Sequence, residues 1–358
     1  MPHHPHVSVL LSMCLTACSC GAATTPSPPP SAVHAPSTPT FEVHEWGLVR
    51  GTLDDHVMIS GPHVPPMPIV ITKPVLYFHR DAPRDGESAL VVDVDVDIPD
   101  GRVVEHWPSL GGDPGAHISW HGVVVQDGSC HGSRYPTLGE EPCSRLTDGC
   151  EAATLASVET LDSDCLSWPP PPDDEGPTEV WNHLFYRADR RAAPPWPLRL
   201  EPQADGTLRV TATGDRVPGR ILRVRRANGT AGVIDGAEVG DPPAPGTSSV
   251  LAAPSGALST AAEALATSLR DAGLTDDEIA AFRRAWDDTL FGPNVVAMTA
   301  PPAVVAVMTT PPTPRPTTSV IYVLPLSSAD AMATLRITPA PIALRRAIVV
   351  WLDENSAP

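Results

Sequence analysis

Hydrophobic and polar positions alternate most cleanly over Ala89–Ile98. Leu90, Val92, Val94, Val96 and Ile98 fall on one face, and Val91, Asp93, Asp95 and Asp97 on the other. That period of two predicts a half-buried strand. Asp100-Gly101 then predicts a turn into a second strand over Arg102–Trp107, a hairpin signal. Phe41–Gly51, Pro68–His79 and Ile118–Gln126 also read as strands, with Pro74 marking its strand as an edge or a bulged one. Further along, Glu179–Arg187, Leu198–Glu201, Thr207–Thr213 and Arg220–Arg226 are short strands, punctuated by the turn markers Asp205-Gly206 and Asn228-Gly229. That spacing suggests a sandwich.

Two segments switch to the helical period. Ala261–Ala272 has Thr260 and Glu263 placed as a capping box and Gly273 as a stop. Asp276–Leu290 repeats the device with Thr275 and Glu278, and Ile279, Phe282, Trp286 and Leu290 form its apolar stripe. After the Pro-rich loop Pro301–Pro316, strands return at Ser319–Leu324, Ala333–Ile337 and Leu344–Leu352. The predicted class is mainly β, two β-sandwich-like units with a small helical hairpin inserted in the second.

The N-terminus belongs to neither unit. Val7–Ala17 is an apolar run of signal-peptide length, too short to span a bilayer, and Leu15-Thr16-Ala17-Cys18 reads as a lipobox. Cys18 is then the lipidated residue, and the chain is extracytoplasmic, its membrane partner met through that lipid. The expected layout is a lipoprotein signal peptide at 1–17 and a Pro/Ser/Thr tether at 18–40. An N-terminal β domain follows at 41–168, then a stiff linker at 169–178, and a C-terminal β domain at 179–358 with its hairpin at 260–291.

Composition sharpens this picture. The 44 prolines break helices and tilt the fold towards β. The formal charge is −18 and Lys73 is the only lysine, which argues against nucleic acid as a partner. Cys130, Cys143, Cys150 and Cys165 lie in one loop-rich segment, 127–168, with no closely spaced zinc-ligand pair. In an exported chain they read as two disulfides of three possible connectivities, each contributing about 2–4 kcal/mol.

Val43-His44-Glu45-Trp46-Gly47, Lys73-Pro74-Val75-Leu76-Tyr77-Phe78 and Glu105-His106-Trp107-Pro108 resemble short runs in a family of secreted bacterial proteins of myxobacterial and planctomycete type with an N-terminal HEWG motif. Phe185-Tyr186-Arg187, Ala285-Trp286 and Thr338-Pro339-Ala340-Pro341 extend the likeness. The resemblance implies an extracytoplasmic home and this domain layout, and it transfers no catalytic residues.

Candidate chemistry is sparse. His44 and Glu45, with His79 and His106, are the side chains that would ligate a divalent metal, the one cofactor alternative to none. His117 and His121 are spaced for a helix but lie on a strand, where four residues span about 13 Å. Asp93, Asp95 and Asp97 form a carboxylate row that would suit calcium, although the EF-hand spacing fails. The solvated outer face of a half-buried strand is the preferred account of it. Trp46, Trp107 and Trp120 would stack on sugars if exposed, and pack the core if not. No G-x-S-x-G elbow, P-loop or G-x-G-x-x-G is present. The expected function is a lipid-anchored binding or envelope-associated module without catalytic activity. The alternative is a metal-dependent hydrolase acting on envelope or extracellular material.

Overall fold

The structure, a computed structural model, describes residues 40–53, 69–81, 89–110, 113–128, 130, 132–146, 150–168, 179–191, 195–228, 230, 232–292 and 316–354. The leader with Cys18, nearly all of the tether, the linker 169–178 and nearly all of the Pro301–Pro316 loop lie outside these residues.

In chain order the strands of the first part are β1 (Phe41–Thr52), β2 (Ile69–Arg80), β3 (Leu90–Asp97), β4 (Gly101–Trp107), β5 (His117–Gln126) and β6 (Cys165–Ser167). Then come β7 (Val180–Trp181), β8 (Leu184–Arg190), β9 (Leu198–Pro202), β10 (Leu208–Ala212), β11 (Ile221–Arg226), β12 (Gly236–Gly240) and β13 (Ser248–Leu251). Helices α1 (Leu258–Asp271) and α2 (Asp276–Leu290) form the hairpin, and β14 (Thr317–Val323), α3 (Leu326–Met332), β15 (Thr334–Thr338) and β16 (Ala343–Asp353) close the chain.

Three sheets result. The largest runs β12-β11-β14-β16-β1-β2-β8-β4, the second β15-β3-β5-β6-β7, and the third β13-β10-β9. The fold is mainly β with a helical hairpin, but the division into domains at 41–168 and 179–358 is corrected. Strands from both stretches alternate in the largest sheet, and one continuous core joins them. The cause is β1. It pairs in parallel with β16, the last strand, and antiparallel with β2. Covered on both faces, it is buried almost without a break from Val43 to Val49, as central strands are.

The hairpin expected at Asp100-Gly101 is also corrected. The turn exists, with Asp100 at φ 54°, but β3 joins the second sheet and β4 the first. Pro74 marks a bulge and not an edge, since β2 lies between β1 and β8 and its register shifts between Ile71 and Val75. Gly47 sits opposite this irregularity, where an added Cβ would lie 3.1 Å from the Pro74 backbone. The glycine of the HEWG run and the proline of the KPVLYF run are thus one packing contact.

Alternation along β1 separates two environments. His44 and Trp46 share a face with Tyr77, and Phe282 of α2 meets the Trp46 ring edge-on at 5.3 Å, so the hairpin covers that face. Glu45 points the other way. There it accepts a hydrogen bond from the Tyr186 hydroxyl (2.7 Å) and pairs with Arg346, both side chains of the ion pair being fully buried. Arg346 also donates to Asp330 (2.6 Å) and to the Ala333 carbonyl (2.8 Å), which secures α3. His106, paired in register with Tyr186, meets Trp120 of the second sheet, so this side faces that sheet.

The hairpin caps differ. Thr275 and Glu278 form the expected capping box at α2. Thr260 and Glu263 do not form one. Helix α1 starts earlier, at Leu258, which packs against the core, and Glu263 pairs instead with Arg283 of α2 at 2.8 Å. Gly273, at φ 98°, ends α1 as its position suggests.

Removing one partner of a buried ion pair strands the other charge. Arg346→Met is therefore expected to destabilise the fold by about 3–5 kcal/mol, and Glu45→Leu combined with it to recover at least half of that loss. Urea unfolding of the two variants beside the native chain measures both numbers.

Candidate functional site

The sequence-predicted metal ligands divide between the two faces of β1. His44 and His79 come together, because β1 and β2 place them diagonally on the hairpin side, with ring centroids 4.3 Å apart. Glu45 does not join them, being one residue out of phase and held by Arg346 and Tyr186. Nor does His106, whose Nε2 accepts from the Leu110 amide at 3.0 Å beside the second sheet. The carboxylate that completes the group is Glu278 of α2. Its oxygens lie 3.1 and 3.0 Å from His44 Nδ1, and 2.8 Å separates Oε1 from His79 Nε2. Glu278 Oε2 also accepts from the Thr275 amide at 2.8 Å. The capping-box residue thus reaches across to the sheet. Its position was legible as a cap and silent as a ligand, since nothing in the spacing of residues 44, 79 and 278 links them.

The electrostatics follow from this packing. Burial alone would raise the Glu278 carboxyl, but hydrogen bonds from His44 and His79 override it and hold the group at about 2. Burial would likewise lower His79, and its bond to Glu278 outweighs that and raises it. The outer nitrogens are occupied too, His79 Nδ1 by the Asp162 carbonyl at 3.1 Å and His44 Nε2 by Glu42 at 3.4 Å. His44 and Glu278 are buried, while 18% of the His79 side chain is exposed.

A second polar group lies further along the same side of the sheet. Glu105, buried in β4, accepts from the Ala152 amide (2.5 Å) and the Glu151 amide (3.2 Å), and lies 3.1 Å from Arg187. Burial is the main force on its carboxyl and raises it. Lys73 stands near, its amide bonded to Glu151 at 2.9 Å and its Nζ 5.3 Å from the Trp286 ring, and burial lowers its pKa. Cys143 and Cys150 come within ligand distance of Glu105, but their sulfurs are joined to each other. The other disulfide is Cys130–Cys165.

Among the described residues, clefts open on the surface at two places that bear on the candidate chemistry. One, about 370 Å³, is lined by Arg102, Val104 and His106 of β4, Asp113, Arg187 of β8, and Arg145 of the loop closed by Cys143–Cys150. The other, about 270 Å³, is lined mainly by Arg216, Leu326, Leu344 and Arg345. His106 in the first is held neutral, its pKa lowered to about 4 by burial and then by Arg145.

The calcium row does not assemble. Asp97 bonds His117 (2.8 Å) and Arg336 (2.6 Å), Asp95 bonds Ser119 (2.5 Å), and Asp93 accepts from the Gly122 amide (2.8 Å). Successive outward side chains on a strand stand about 7 Å apart, so each carboxylate turns to its own cross-strand partner. His117 and His121 serve as such partners, of Asp97 and Asp93. The sugar-stacking reading of the tryptophans is corrected as well, because Trp46, Trp107 and Trp120 are buried. No protein-family model matches the chain, and no curated protein matches it.

His183 was not singled out by its sequence context. It is fully buried between Tyr77 and Tyr135, neither ring nitrogen has a hydrogen-bond partner, and burial lowers its pKa to about 3. A histidine neutral when folded and protonated when unfolded gives stability that is full above the unfolded value and is lost as pH falls. By about pH 4.5 this loss amounts to roughly 2–3 kcal/mol. His183→Leu is expected to remove that part of the acid sensitivity, read as a smaller shift in urea midpoint between neutral and acid solution.

Proposed function

We propose that this chain is an extracytoplasmic binding module, held at the bacterial envelope by lipid on Cys18, whose ligand is a small molecule bearing carboxylate or phosphate groups. The observation that carries the reading is the 370 Å³ cleft, lined by Arg102, Arg145 and Arg187 and by one acidic side chain, Asp113. Each guanidinium also has a carboxylate neighbour outside the lining, Asp189 at 3.5 Å from Arg102, Glu141 beside Arg145 and Glu105 at 3.1 Å from Arg187, so a ligand would compete with or add to these pairs. Guanidinium forks match carboxylate and phosphate oxygens two at a time. Arg187 has Glu105 as its ion-pair partner, at 3.1 Å. His106, neutral and accepting at Nε2, keeps its proton on Nδ1 as an uncharged donor.

The cysteine segment supplies one wall of this cleft. Closing Cys143 to Cys150 ties the loop carrying Arg145 and Leu146 beside the edge strand β4. The two disulfides are consistent with an extracytoplasmic protein, and no helix among the described residues is long and apolar enough to cross a membrane. The lipobox at Leu15–Cys18 supports lipid anchoring, and the resemblance to secreted HEWG proteins supports an extracytoplasmic home. The metal-dependent hydrolase has less support. Its four candidate ligands do not converge, and neither cleft is lined by His44 or His79.

Titration of the exported chain with inorganic phosphate and with succinate, followed by amide chemical shifts, tests the cleft. Saturable shifts around residues 102–106 and 142–146 are expected, weakened about tenfold in Arg145→Ala and by added salt. Shifts absent from the cleft, or unaltered in Arg145→Ala, would refute the ligand class. Cys18→Ser is expected to move the protein from the membrane fraction to the soluble one. Retention in the membrane fraction would refute the lipid anchor.

A further inference from the structure

From the arrangement of His44, His79 and Glu278 we infer a divalent-metal site of the zinc class that clamps the helical hairpin onto the largest sheet. It lies apart from the arginine cleft and takes a different ligand.

The argument begins with hydrogen-bond bookkeeping at His79. Its Nδ1 faces the Asp162 carbonyl and its Nε2 faces the Glu278 carboxylate, and neither partner has a hydrogen to give. His44 repeats the situation, with Nδ1 towards both oxygens of Glu278 and Nε2 towards Glu42. Without a metal, every one of these contacts is satisfied only if both imidazoles carry a second proton, two cations with ring centroids 4.3 Å apart. With a metal, each ring is an ordinary neutral tautomer. His79 keeps its proton on Nδ1 for the Asp162 carbonyl and His44 keeps its proton on Nε2 for Glu42, and the two remaining nitrogens, His79 Nε2 and His44 Nδ1, both face the Glu278 carboxylate. Outer-nitrogen contacts to a carbonyl and a carboxylate are what orient metal-bound histidines.

The distances are close to those a bound ion requires, the donors standing slightly nearer to one another than they would around it. Donor atoms bound to one ion at about 2.0–2.2 Å stand roughly 3.0–3.5 Å apart. Here the nitrogen-to-oxygen separations are 2.8–3.1 Å, and one donor atom from each residue lies within 4.8 Å of the others. Glu278 offers both oxygens, which brings the protein donors to two nitrogens and two oxygens. Two imidazoles select against calcium and magnesium, which take oxygen, and suit zinc or its neighbours. The site is closed by the sheet and by α2, a setting for structure and not for turnover. Thr275 keeps its bond to Glu278 Oε2, so the helix cap becomes the support of the ligand.

The test uses the exported full chain, purified without chelator, exposed to one equivalent of Zn²⁺ or Co²⁺ and passed through a desalting column. One retained metal per chain, visible d–d absorption for the Co²⁺ form and a raised Tm are expected. His79→Ala is expected to lose metal affinity at least about tenfold and to lose the rise in Tm, while His117→Ala keeps both. His79→Asn, smaller in its effect on packing, repeats the loss should the alanine variant fail to fold. A folded native chain that retains no metal, or one whose retention is unchanged in both His79 variants, overturns the site and leaves two imidazolium partners of Glu278 in its place.

Discussion

Everything in this fold depends on β1 lying in parallel beside β16. A parallel pair needs a crossover connection, and here the connection is almost the whole chain. The central strand therefore lacks one neighbour until the last strand arrives, and the sheet has no centre before that. At the pair sit Glu45 and Arg346, register partners whose side chains meet where no water reaches. Buried ion pairs seldom add net stability over apolar residues of the same volume. What this one adds is address. A one-residue slip of β16 would leave two charges buried apart, and Tyr186, Asp330 and Ala333 converge on the same pair from β8 and the α3 region.

The same strand shows how one residue of phase divides structure from chemistry. His44 and Glu45 are adjacent in sequence, but the pleat sends Glu45 towards the second sheet and His44 under the hairpin. Neighbours in sequence thus end in different polar clusters. Residues 44, 79 and 278, far apart in sequence, end in one. Glu278 reaches the sheet because α2 is fixed twice, by its stripe against Trp46 and by its own cap. The cap positions the carboxylate, and the histidines hold it ionised.

Period and turn chemistry made most of the strands and both long helices legible, because burial on one face leaves a pattern that a single chain displays. β3 is the clearest case, with Val92, Val94 and Val96 buried as its alternation requires. Sheet membership was not legible. Asp100-Gly101 turns the chain as its residues demand, but a turn does not say whether the next strand pairs with the last or crosses to another sheet. The capping signal at Thr260 and Glu263 failed because local hydrogen bonding lost to the packing of Leu258, and the same signal at Thr275 succeeded where no such pull existed. Two of the three members of the histidine cluster, His44 and His79, were legible from residue type alone. Glu278 was hidden by tertiary distance, and the arginine cleft by the same cause, since Arg102, Arg145 and Arg187 come from β4, a disulfide loop and β8.

The two clusters on the hairpin side are joined by a continuous support. Arg284 of α2 donates to the Ser157 carbonyl at 3.0 Å and to the Glu159 carbonyl at 2.9 Å, and Tyr77 donates to the Val158 carbonyl at 2.6 Å. These bonds fix the 3-10 turn at Ala152–Val158, whose first amide holds Glu105, and Glu105 is the ion-pair partner of Arg187 at the wall of the cleft. Little of this support is regular sheet or helix. A polar segment of this kind, rich in Gly, Asp and Ser, cannot bury enough apolar surface to order itself. Here it is ordered from three sides, by the disulfides, by the face of the largest sheet and by α2. Whatever fixes α2 on the sheet therefore also fixes the carboxylate behind Arg187. The packing of Glu278 on the sheet and the cleft wall at Arg187 draw on one set of contacts.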